Sequence, residues 1–312
     1  MRMRASAPYS VIEMNLISSM DLSKDAINRI FEIADDVSTG NEEISLKEHS
    51  TMVLYFEEPS TRTRVSFEVA IAKLGGTPIY VDAHTTQVSR GETIADTAKV
   101  LSSYCDFIIV RMNDHDKLLT IAENSKVPVI NALTYLEHPT QALADCYTIL
   151  KHKKSLKKLK IAFVGDIATN TANSLMITAV KLGAEIVLIG PNSVKPNTYY
   201  YTKAREYGSV ELFDSLELGL EGVDIIYTDT FVSMGDESNA SQRLELFAPY
   251  QLNSKVLSYA NKDALVMHCL PAHRGEEITA DVLDSDRSIV WEQAANKLII
   301  EKAILLYLSE KH

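Results

Sequence analysis

The sequence predicts an α/β protein: two doubly wound parallel-sheet domains in tandem, with the C-terminal helix packing back on the first. Three observations lead there. Short apolar runs alternate with helical periodicity along almost the whole chain, a basic polar stretch at 151–160 interrupts the alternation once, and the alternation then restarts. The 312 residues are enough for two domains that each bury a core. The expected boundaries are 1–150 together with the helix 294–312 for the first domain, and 151–293 for the second.

The first-half strands are expected over 52–56, 79–81, 107–110 and 127–130, each apolar and short enough to be a buried parallel strand. Between the first two, Val65, Val69, Ala72 and Leu74 follow helical spacing and stop at Gly75-Gly76. The run from Lys151 to Lys160 has no apolar periodicity and is expected to be a solvated link. Beyond it, strands are expected over 160–164, 186–189, 223–227, 265–268 and 288–291. Helices are expected from about Thr171 and over 294–308.

Composition narrows the class of function. The chain is 46% hydrophobic and 23% charged with a net charge of −11, which suits a globular protein and gives no basic footprint for nucleic acid or an anionic membrane. No apolar run reaches transmembrane length, and Arg2 and Arg4 are not followed by the apolar segment of a secretory signal. Cys105, Cys146 and Cys269 are odd in number and lack a CxxC pair, as in a reduced cytoplasmic protein without a disulfide framework or zinc site. Neither metal nor cofactor is expected.

Ligands of open parallel sheets sit beyond the carboxyl ends of the strands, and polar residues collect there. After the first strand comes Glu57-Glu58-Pro59-Ser60-Thr61-Arg62-Thr63-Arg64. A helix start offers unpaired amides and a positive dipole end, and arginine forks match phosphate oxygens. Two readings stand at this point: an anion cradle, or a Ser60-capped helix whose arginines pair with Glu57 and Glu58. Arg111 directly follows the third strand, and Glu137-His138-Pro139-Thr140-Gln141 opens a helix after the fourth, with Pro139 suited to its first position. In the second half, Gly165-Asp166 begins GDIATNTANS, which lacks the GxGxxG spacing of a dinucleotide loop. Asp229 leads into Thr230-Phe231-Val232-Ser233-Met234-Gly235, and His268-Cys269-Leu270-Pro271 follows a later strand.

Ser60-Thr61-Arg62-Thr63-Arg64, His138-Pro139-Thr140-Gln141 and the two-domain layout resemble the aspartate/ornithine carbamoyltransferases over nearly the whole chain. Ser233-Met234-Gly235 and His268-Cys269-Leu270-Pro271 resemble the ornithine branch. The resemblance implies a first domain that binds carbamoyl phosphate and a second that binds L-ornithine. It implies that Ser60, Thr61, Arg62, Thr63, Arg111, His138, Pro139, Thr140 and Gln141 hold carbamoyl phosphate, and that Gln87 reaches it from a neighbouring subunit of a homotrimer. Asn170, Asp229, Ser233 and Met234 would hold ornithine, with Cys269 and Leu270 lining the reaction centre. Where the family carries arginine after Gln-Ala-x-Asn this chain has Lys297, which keeps the charge and loses the fork.

The implied chemistry is direct attack of a deprotonated δ-amine on the carbamoyl carbon, giving citrulline and phosphate, with Arg62, Arg111 and His138 stabilising developing charge. Loop closure over the acceptor would protect carbamoyl phosphate from water. The rivals are a carbamoyltransferase for another acceptor such as putrescine, a non-catalytic small-anion sensor, and a dinucleotide oxidoreductase.

Overall fold

The computed structural model describes residues 15–39, 44–233 and 237–311. The N-terminal stretch with Arg2 and Arg4 lies outside the described residues, as do Met234 and Gly235. The chain divides into two units: Met1–Leu143 with Lys297–His312, and Ala144–Asn296.

The first unit holds strands β1 (Thr51–Phe56), β2 (Thr77–Asp82), β3 (Phe107–Arg111) and β4 (Val129–Leu133). All pair in parallel, in the order β2-β1-β3-β4. Parallel pairs need crossovers, supplied here by helices Thr61–Lys73, Ile94–Leu101 and His115–Asn124. β1, β3 and β4 are almost wholly buried, as expected of strands covered on both faces. Val53, Tyr55, Ile108, Val110 and Leu118 share one core cluster. The strand order reverses between β1 and β3, and register pairs Phe56 with Arg111 and Arg111 with Leu133. Three loops therefore leave one sheet edge side by side.

The second unit holds β5 (Lys160–Val164), β6 (Glu185–Ile189), β7 (Val210–Phe213), β8 (Ile225–Thr228) and β9 (Leu265–His268). They are also parallel, in the order β7-β6-β5-β8-β9. The reversal falls between β5 and β8, where Val164 pairs with Thr228. Gly165 leaves β5 at φ 110, and a Cβ there would stand 2.8 Å from the Phe231 ring, so both conformation and space require glycine.

Three expectations need correction. Residues 288–291 form no strand: Ser288 makes an isolated bridge to Val266, after which helix Val290–Ser309 begins. Its apolar side chains pack from a helix, a choice that short apolar runs leave open. The strand β7 was not anticipated, because it is a four-residue edge strand with only Val210 buried. The basic stretch is only partly a link: Lys151, His152 and Lys153 form the last turn of helix Pro139–Lys153, where positive charge suits the dipole, and Lys153 pairs with Asp263 at 2.9 Å.

Candidate active site

The turn after β1 is fixed by its own sequence. Ser60 caps helix Thr61–Lys73, its hydroxyl accepting from the Thr63 amide at 3.3 Å. Arg62 is exposed, and no acidic side chain pairs with it among the described residues. Glu57 pairs instead with Lys117 at 3.1 Å, and Glu58 accepts from the Asn113 amide at 2.9 Å. Arg64 differs from Arg62. Its Nε donates to Glu68 at 2.9 Å and its guanidinium lies 3.5 Å over the Tyr80 ring. Of the two arginines in the motif, the structure gives one to the helix surface and presents the other at its N-terminal end.

Arg111 ends β3 beside this turn, and the Glu57 amide donates to its carbonyl at 2.8 Å. Burial, with Arg62 nearby, pushes its pKa down to about 10, so it remains a cation at neutral pH. His138 follows β4 and precedes helix Pro139–Lys153, while neighbouring Glu137 is clamped by Ser18 and by the Ser19 amide. Thr140 Oγ1 lies 3.4 Å from His138 Nδ1. Burial, then Lys297 and Arg111, hold the imidazole well below its ordinary range. At neutral pH the ring is uncharged, able to donate a hydrogen bond to a carbonyl without adding a third adjacent cation. Thr63, Thr140 and Gln141 are buried as well.

Lys297 reaches the same place from the last helix. It is 5% exposed, and its Nζ donates to Thr63 Oγ1 at 3.1 Å. It is not the surface lysine that its position near a helix start allows. Gln87 is exposed in the short 3-10 turn Gln87–Arg90, and no side-chain hydrogen bond joins it to Ser60, Thr63, Arg111 or His138. The turn before it is tied to the cradle through His84 Nε2, 2.9 Å from the Glu57 carbonyl oxygen.

In the second unit, Asn170 opens the helix Asn170–Lys181 after β5, which Thr169 caps through the Ala172 amide at 3.2 Å. Asp229 follows β8 and is 9% exposed; its Oδ1 accepts from the Thr230 amide at 2.8 Å and the Cys269 thiol at 3.0 Å. Burial and Asp229 push the Cys269 pKa well up. The sulfur therefore stays a protonated donor, the wrong state for a nucleophile. Ser233 is half-buried at the edge of the described residues, and Met234 lies outside them.

His268 braces the turn that carries Cys269 and Leu270. Its Nδ1 accepts from the Leu270 amide at 2.8 Å, its Nε2 lies 3.0 Å from Glu277, and its own amide donates to Gln293 at 3.0 Å. Leu270 is held at φ 59, a conformation that side chains disfavour and that this network stabilises. Ligand atoms of Asp229, His268 and Cys269 lie within 4.8 Å of one another, but both His268 nitrogens are already bonded.

Two residues were missed in the sequence: Glu277, which orients His268, and Glu301, buried one turn beyond Lys297. Glu301 had a signal, an acid four residues after Lys297 in the largely apolar stretch 298–308 that Lys302 also interrupts. Glu277 had none, because its partner is found only through the fold.

Fold and strand-end residues together describe a two-unit α/β protein with cationic and hydroxyl side chains at the strand ends of one unit and a buried carboxylate, Asp229, at those of the other. Comparison with known proteins gives that class its family. The carbamoyl-P binding domain of aspartate/ornithine carbamoyltransferase matches residues 14–151, and the Asp/Orn binding domain matches residues 157–308. The anabolic ornithine carbamoyltransferase of Pyrococcus furiosus is 47% identical over 265 residues, covering 83% of this chain and 84% of that protein. That of Hyperthermus butylicus is 43% identical over 307 residues, covering 96% and 98%. Among solved structures, ornithine carbamoyltransferase from P. furiosus superposes with a TM-score of 0.88 at 43% identity, covering 93% of this chain and 95% of that one. The anabolic enzyme of Campylobacter jejuni gives 0.89 at 36%, covering 96% and 99%. The chain belongs to the aspartate/ornithine carbamoyltransferase family.

Proposed function

We infer that this chain transfers the carbamoyl group of carbamoyl phosphate to the δ-amine of L-ornithine, releasing L-citrulline and phosphate. The observation that carries the reading is the convergence on one sheet edge of Ser60–Thr63, Arg111 and His138, with Lys297 bonded to Thr63. Ser60, Thr61, Thr63, Pro139, Thr140 and Gln141 frame a dianion, and Arg62, Arg111 and Lys297 supply its charge. Neutral His138 donates to the carbamoyl oxygen as charge develops there. Phosphate is already a good leaving group, so the chain's own donors suffice for direct attack.

Asp229 supplies a negative partner for the amino groups of ornithine, with Asn170, Ser233 and Met234 as further acceptor contacts and Cys269 and Leu270 beside the reacting carbon. The acidic site favours ornithine over aspartate, whose second carboxylate would face a like charge. We propose a homotrimer or a multiple of one, in which Gln87 serves a neighbouring subunit's site; the exposure of its side chain supports this. We place the chain in the cytoplasm, in arginine metabolism. The three unpaired cysteines suit a reducing compartment, and no helix of the described residues is long and apolar enough to cross a membrane.

Steady-state kinetics test the division of labour. Arg62→Ala should lower turnover about a hundred- to a thousandfold, the loss typical of a single transition-state donor. Asp229→Asn should instead raise the ornithine requirement more than the carbamoyl phosphate requirement. Near-normal turnover in Arg62→Ala, or an Asp229→Asn defect confined to carbamoyl phosphate, would contradict the reading.

A further inference from the structure

Glu301 is a buried group that the chemistry above does not use. It is fully buried in helix Val290–Ser309, and neither carboxyl oxygen has a hydrogen-bond partner among the described residues. A buried ionised carboxylate in that condition is costly, so the group needs either a charge partner or a proton. One charge acts on it, that of Lys297 one turn earlier on the same helix. From the neighbouring helix Thr61–Lys73 the Ser66 hydroxyl also favours the ionised form, although its hydrogen bond goes to the Thr63 carbonyl at 3.3 Å. Lys297 meanwhile donates to Thr63 Oγ1, and its charge is felt by His138. Glu301 thus follows, one helical turn later, a lysine that is itself bonded to the Thr63 hydroxyl.

We propose that Glu301 is a positioning residue for the phosphate site: as a neutral acid it leaves the charge of Lys297 to the bound dianion, and as a carboxylate it draws that charge away. The inference rests on the reading of residues 60–63 as the carbamoyl phosphate cradle. Burial outweighs Lys297 and raises the Glu301 pKa to about 8. The acid is thus neutral at pH 7 and ionised at pH 9. By reciprocity, a dianion beside Lys297 favours the protonated form, so substrate binding near pH 8 takes up part of a proton.

The test is the KM for carbamoyl phosphate, measured through citrulline formation at saturating ornithine, for wild type and Glu301→Gln at pH 7 and pH 9. Wild-type KM should rise relative to the variant by about three- to tenfold across this interval, as for one added charge whose effect on the site is screened to roughly 1 kcal/mol. Dividing by the variant cancels the titration of ornithine and of substrate phosphate. The kcat ratio should stay within about twofold, because Glu301 does not touch the reacting atoms. A KM ratio that is the same at both pH values overturns the proposal. A wild-type protein that makes no citrulline at either pH overturns the site reading instead.

A second measurement needs no variant. Infrared difference spectra of protein labelled with 13C-carboxyl glutamate should show a protonated buried carboxyl at pH 7 that disappears with a midpoint near 8. Added carbamoyl phosphate should shift that midpoint upward. Absence of the band at pH 7, or a midpoint that ignores the ligand, overturns the proposal.

Discussion

Arg62 and Arg64 show what a residue's identity alone leaves open. Two letters apart in one motif, they have opposite fates, because Glu68 and Tyr80 stand where Arg64 can reach them and not where Arg62 can. The sequence named the motif; only the fold separates its members. The same holds for Lys297, whose burial against Thr63 follows from the return of the last helix to the first unit. Burial also sets two opposed pH terms. His138 is depressed well below 6.5 in the folded chain. Its contribution is present above the unfolded value and lost as pH falls below about 6.5. Glu301 is raised from 4.5 to about 8, so its contribution is complete below 4.5 and lost as pH rises through 8. Thermal unfolding of wild type and Glu301→Gln should accordingly diverge with rising pH, the variant gaining relative stability between about pH 5 and pH 8.5. A gap that does not change over that range would show that the carboxyl is not held protonated.

At the scale of elements, most strands legible in the sequence were buried ones, and the half-exposed edge strand β2 was read only over its centre, 79–81. Residues 160–164 and 265–268 were read to the residue, because an apolar run bounded by polar residues has few other homes. The edge strand β7 was illegible, since a four-residue edge strand with one buried residue carries no pattern. Residues 288–291 misled because apolar β-branched runs also begin buried helices. Some element contacts are polar and could not be foreseen. Asp145 accepts from the Tyr227 hydroxyl at 2.9 Å and from the Gln293 amide at 2.7 Å, joining helix Pro139–Lys153, β8 and helix Val290–Ser309 within the second unit. Asp145→Ala would strand two buried donors and should cost about 3 kcal/mol in urea unfolding. A loss under about 0.5 kcal/mol would mean that water or rearrangement replaces the carboxylate.

For the whole molecule, tandem parallel sheets were predictable because alternation, interruption and restart are properties of the entire chain, insensitive to any one misplaced strand. Their strand orders reverse at β1/β3 and β5/β8, and Ser60–Thr63, Arg111, Asn170 and Asp229 follow the strands at those reversals, while His138 and Cys269 follow the strands next to them. Subunit sharing belongs to this scale too. If Gln87 acts on a neighbour, mixing Gln87→Ala with Arg62→Ala subunits should restore part of the lost activity, since some hybrids contain one intact site. Hybrids that assemble and stay inactive would confine Gln87 to its own subunit or exclude it from the site. If the strand-end cations of the first unit bind carbamoyl phosphate and Asp229 of the second binds ornithine, the choice of acceptor follows. The most direct measurement offers carbon-labelled carbamoyl phosphate to equal concentrations of L-ornithine, L-aspartate and putrescine in one reaction and separates the products. Labelled citrulline should dominate, with no measurable carbamoyl aspartate and little carbamoyl putrescine. Label appearing chiefly in carbamoyl aspartate or carbamoyl putrescine would contradict the account.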